Sequence, residues 1–139
     1  MRLIVDTNCI IAALLRDGGS RKIIFTKGIE LMTPAYSIEE VAAHREELRE
    51  RLGMEEEQFR GLLSFLLQRI HIVQKHIYEH ALEKAASLIE AKDAPFLALA
   101  SAVENDGVWS EDRHFEQQTN VKVWKTRELL QLLERGTQG

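Results

Sequence analysis

The stretch "RLIVDTNCIIAALL", residues 2–15, decides the fold. Leu3 to Val5 is a short, apolar, β-branched-rich run of the kind that forms a buried strand. Asp6 ends it. A helix then begins near Asn8 and continues through "CIIAALL" to Arg16, where "DGG" at 17–19 stops it. A strand handing over directly to an apolar helix is the opening of a βα unit. Asp6 and Asn8 stand where a chain laying down core should stay apolar, so packing alone does not account for them.

The same alternation continues outward from this unit. Ser20 is placed to cap a second short helix over "RKIIFTK", closed by Gly28, and "IELMT" at 29–33 reads as the next strand. Thr33 is the expected cap and Pro34 the first residue of a helix running to Leu52 and ending at Gly53. Residues 55–68 set Phe59, Leu62, Leu63 and Leu66 at helical spacing, and "IHIV" at 70–73 forms another strand. A long helix over 77–91 breaks at "KDAP", 92–95. Asp93 can cap the following "APFLALASAVEN", which Gly107 terminates. "VWS" at 108–110 and "VKVW" at 121–124 are the last strands, and Thr126 caps a final helix through Leu133. Strands alternating with helices predict right-handed crossovers and a mostly parallel sheet covered on both faces, a three-layer α/β/α sandwich. In such sheets the ligand crevice lies beyond the carboxyl ends of the strands, where Asp6 and the segment Ser110 to Asp112 fall.

With 139 residues, 45% hydrophobic and 29% charged, the chain has the size and balance of one compact domain, expected to span 1–139. The net charge of -4 and pI of 5.8 argue against a binder that holds nucleic acid by overall charge, and suit an acidic pocket that carries metal. Cys9 is the only cysteine, so internal disulfides are excluded and a reducing, cytoplasmic setting is expected; Cys9 itself reads as a small buried hydrophobe. The sequence carries no signal-peptide pattern and no apolar run long enough for a membrane span.

Two more acids reach the same edge as Asp6 and Asp112: Asp93, before its helix, and Glu40, in the early turns of the helix after the second strand. Carboxylates gathered in this way raise one another's pKa unless a cation neutralises them. Mg2+ or Mn2+ are the natural partners, preferring carboxylate and water oxygens and suiting phosphodiester hydrolysis. Each acid also has a plainer reading. Asp6 is one residue too early to cap the helix at Asn8, which favours a ligand. Ser37 to Glu40 matches a capping box, unless the helix starts at Thr33 and Pro34, and Glu39 is Glu40's rival about 100° around the helix. Asp93 can be cap and ligand at once, and Asp112 can be a turn residue.

Taken together, "IVDTN" at 4–8, "YSIEEV" at 36–41, "KDAPFLALA" at 92–100 and "VWSEDRHF" at 108–115 resemble the PIN-domain family of metal-dependent ribonucleases across nearly the whole chain. The resemblance implies a Rossmann-like sheet, a Mg2+ or Mn2+ pocket and cleavage of single-stranded RNA by activated water. It implies Asp6, Asp93 and Asp112 as metal ligands and Glu40 as the helix acid, all four catalytic, with Ser110 and Asn8 supporting, Asn8 by ordering the Asp6 loop. Toxins of toxin–antitoxin pairs, usually homodimers held by a small antitoxin, belong to the same family, as do free-standing processing nucleases. Arg113 and His114 are candidates for substrate phosphate, and the basic stretch 16–22 for guiding RNA. His71, His76 and His80 lack the partners of a zinc site, and His44 reads as an exposed helix residue. Two rivals remain: an inactive PIN-like module that binds RNA or partners, and a phosphatase of the HAD type, which needs a second Asp where Asn8 stands.

Overall fold

The computed structural model describes residues 1–138, with side chains to 136, so residue 139 of the expected domain lies outside the described residues. Five strands, β1 (Arg2–Val5), β2 (Glu30–Pro34), β3 (Ile70–Val73), β4 (Val108–Trp109) and β5 (Val123–Trp124), form one sheet in the order β3-β2-β1-β4-β5. Every pairing is parallel. The helices are α1 (Thr7–Leu15), α2 (Gly19–Ile24), α3 (Ala35–Ala43), α4 (Arg45–Leu52), α5 (Glu56–Leu67), α6 (Lys75–Tyr78), α7 (Leu82–Leu88), α8 (Ala94–Ala102) and α9 (Thr126–Gln138).

Alternation along the strands sorts the core into two layers, as period-two side chains must. Leu3, Val5, Leu31 and Trp109 point to one face and pack against α1, α2, α4, α5 and Leu129 of α9. Ile4, Met32 and Val108 point to the other, against Tyr78, Ala85 and the almost wholly buried α8. Together these layers give the expected α/β/α sandwich. Among the described residues no helix is long and apolar enough to cross a membrane.

Several boundaries differ from the sequence reading, beginning with α1, which starts at Thr7 and so puts Asp6 in its N-cap position, although the Asp6 side chain makes no cap hydrogen bond. Pro34 is the last residue of β2, paired with Val73, because its ψ of 150° is extended although its φ of -69° suits either state. Helix 34–52 is two helices, turned at His44 so that Leu48 and Val41 both reach the core. Helix 77–91 is α6, a 3-10 turn at Glu79–Ala81 and α7. The cap of α2 is Gly18, not Ser20, and Thr126 opens α9 rather than capping it. Helix α8 stops at Ala102, where the Asn105 amide donates to Ala100 O and Val103 O while its oxygen receives the Gly107 N–H. Gly107, at φ 135°, then lets β4 lie so close to β5 that a Cβ would stand 2.5 Å from Lys122 O.

The strand order places a topological switch at β1, whose chain continues to β2 on one side while β4 pairs on the other. In open α/β sheets the carboxyl edge at such a switch is where ligands bind.

Candidate active site

Register sets the first contact. Val5 pairs with Trp109, and the Asp6 N–H donates to Trp109 O at 3.0 Å, so Asp6 and Ser110 emerge side by side. The Ser110 hydroxyl, fully buried, donates to Asp6 Oδ2 at 2.7 Å and accepts the Asp112 N–H at 2.9 Å. Asp112 Oδ1 accepts the His114 N–H at 2.9 Å, capping the 3-10 turn Arg113–Gln117. Asp112 is therefore a turn residue that also stands on the rim.

Asp93 occupies the N-cap position of α8 yet makes no cap hydrogen bond with its side chain. The cause is local: Pro95 has no N–H to give, and the Phe96 N–H is taken by Asp93's own carbonyl at 3.2 Å. Its Oδ2 is buried without a hydrogen-bond partner, in a residue 5% exposed. Such a group costs free energy unless something answers it.

Glu40 arrives from α3. Thr7 Oγ1 donates to Glu40 Oε1 at 2.5 Å and lies 2.9 Å from the buried Ser37 Oγ. With the Thr7 proton committed to the carboxylate, Ser37 must donate to Thr7. Ser37 and Glu40 are one turn apart on α3 and share a face, while Glu39 is exposed. Thr7 and Ser37 were not expected to serve Glu40; their short side chains one turn from, or adjacent to, a candidate acid were the available signal.

The electrostatics tie the acids into one group. Burial, above all, pushes Asp6 up to about 6, opposed by the Ser110 hydrogen bond and helped by Asp93, Asp112 and Glu40. Burial likewise raises Glu40, with the Thr7 bond opposing and Asp93 assisting. Asp93 is raised by burial first and Asp112 next, against Lys92 and His114.

Of the remaining candidates, Arg113 is exposed at the start of its turn. His114 is turned inward: its Nδ1 is 3.2 Å from Asp112 Oδ1 and 3.3 Å from Asp93 Oδ2, and its Nε2 3.6 Å from Glu90 Oε1. Asn8 is exposed on α1 and makes no side-chain hydrogen bond among the described residues; Ser110 and Thr7 hold the Asp6 loop instead. Part of the basic stretch is structural, since Arg21 donates to the C-terminal carbonyls Ala13 O and Leu14 O of α1. Cys9 is buried beside Trp109 O. His44, His71, His76 and His80 are exposed.

A family model described as the PIN domain matches residues 4–134. The chain belongs to the PIN-domain family. PIN domains are generally nucleases that use divalent metals, and in this PIN domain the buried, unpartnered Asp93 Oδ2 is a hard oxygen donor that fits such an ion, in a residue whose donor atoms group with those of Glu90 and His114 within 4.8 Å. No curated protein matches the chain.

Proposed function

We propose that this PIN domain is an endoribonuclease that cleaves single-stranded RNA, with Asp6, Asp93 and Asp112 holding Mg2+ or Mn2+ and Glu40 completing the catalytic set. The carrying observation is Asp93 Oδ2, a carboxylate oxygen buried without a hydrogen bond beside further acids that repel it. Bound there, a divalent ion would polarise a phosphoryl oxygen and lower the pKa of water.

The chain's own groups divide the remaining work. Ser110 fixes the rotamer of Asp6 and, through the Asp112 N–H, the distance between two ligands. Its hydroxyl is spent on these bonds and Cys9 is buried, so neither is a free nucleophile and water is left to attack. Thr7 and Ser37 hold the half-buried Glu40 by Oε1, leaving Oε2 without a hydrogen bond among the described residues and so able to take a proton from water. Arg113, exposed next to Asp112 in the chain, is the residue that would meet a substrate phosphate. A groove of about 520 Å³ that includes Glu111, next to Ser110, is lined by Arg16 and Arg127 and equally by Glu111 and Glu134, so it offers an extended strand two cationic contacts without net positive charge.

The test is a metal-dependence series on a panel of unstructured and structured RNAs. Cleavage of the unstructured strands that chelator abolishes and Mg2+ or Mn2+ restores is the expected result. Cleavage insensitive to chelator, or RNA binding that survives chelation with no product, would overturn it in favour of different chemistry or an inactive binding module.

A further inference from the structure

His114 and Glu90 are not used by the chemistry above, yet they close one side of the pocket. One donor atom from each of Glu90, Asp93 and His114 lies within 4.8 Å of the other two. His114 Nδ1 is 3.3 Å from Asp93 Oδ2 and 3.2 Å from Asp112 Oδ1, but neither Nδ1 nor Asp93 Oδ2 makes a hydrogen bond, although both atoms are buried. Distance is satisfied and direction is not. Separations of this size are those of neighbouring donors on one small ion, since bonds of about 2.0–2.2 Å put adjacent ligands about 3.0–3.5 Å apart. On the far side of the ring, Nε2 faces Glu90 Oε1 at 3.6 Å, the position from which a carboxylate orients a metal-bound histidine.

We propose that His114 is a metal ligand: its Nδ1 joins Asp93 on the ion, Glu90 steers the ring, and the nitrogen makes the pocket prefer a first-row transition ion to Mg2+. Mg2+ favours all-oxygen surroundings, whereas imidazole nitrogen strengthens binding along the transition series. The inference rests on the acids forming a cation site, and not on RNA being the substrate. The competing structural role is an imidazolium that neutralises the acids from inside the chain, which a metal would have to displace.

Calorimetric titration of the full chain with Mn2+ alone and with Mg2+ alone separates the two. Native protein is expected to bind Mn2+ more tightly than Mg2+. His114→Gln should weaken Mn2+ binding by at least about tenfold while leaving Mg2+ nearly unchanged, and Glu90→Gln should produce a smaller loss in the same direction. Should His114→Gln fold poorly, the native protein labelled with 15N at histidine provides the second readout, with the His114 Nδ1 signal shifting on addition of Zn2+. Tighter binding of both ions by His114→Gln, an equal loss for both, or an unmoved Nδ1 signal overturns the proposal. Native protein that binds neither ion overturns the cation site as well.

Discussion

Asp6→Asn should make the metal-free protein more stable at neutral pH while abolishing cleavage. Asp6 is 3% exposed, and its carboxyl is raised from 3.8 to about 6, so the folded state carries about 3 kcal/mol of penalty for ionising it. The amide removes that penalty, which is already net of the charge-assisted Ser110 bond. A gain of up to about 3 kcal/mol follows, which for a chain of this length is about 6–12 °C in Tm. The sign with pH follows from the raised value. The native penalty is complete above about pH 6, fades as the pH falls, and is gone below about pH 4, where Asp6 is protonated folded or unfolded. Thermal unfolding in chelator at pH 7.5 and pH 4 measures both arms. The variant should lead at pH 7.5 and lose its lead at pH 4. Adding Mg2+ should then raise the Tm of the native protein and leave the variant behind, because only a bound ligand shifts unfolding by mass action. A variant less stable than native at pH 7.5, or a difference that does not change with pH, would refute the reasoning.

Two further substitutions probe the supports. Thr7→Val keeps the shape but leaves the buried Ser37 hydroxyl without its partner and Glu40 without its anchor; denaturant titration should show a loss of about 1–3 kcal/mol, and single-turnover cleavage should slow about tenfold or more, with Thr7→Ser restoring both. Gly107→Ala forces a Cβ against Lys122 O at a positive φ and should cost about 3 kcal/mol or more, read as a fall in the denaturation midpoint together with lost β4–β5 order by hydrogen exchange.

The layer structure was legible because the strands carry period-two apolar residues and the segments between them carry helical spacing, and both signals agree with burial on two faces. The helix breaks at His44 and at Glu79–Ala81 were hidden, since neither contains Gly or Pro and both come from the need to fold an apolar stripe back onto the core. Pro34 was misplaced for a related reason: proline sets φ but not ψ, and only the pairing with β3 makes it extended. At the site, the acids could be picked out by type and order along the chain, and the resemblance named Ser110 beside them, but the pairing of Thr7 and Ser37 with Glu40 could not be read. Thr7 and Ser37 meet across a separation of 30 residues, so only their nearness to a candidate acid marks them. His114 stands in the sequence as a candidate for substrate phosphate, and only the 3-10 turn after Asp112 swings its ring toward the acids. Asn8, by contrast, drew attention from its place in a short motif and is exposed on α1.

Anomalous diffraction from crystals soaked in Mn2+ addresses the acid pocket directly. A peak is expected within bonding distance of Asp93 Oδ2 and shared with Asp6 or Asp112. A map with no peak at that rim, or with Mn2+ only on surface carboxylates elsewhere, would contradict it.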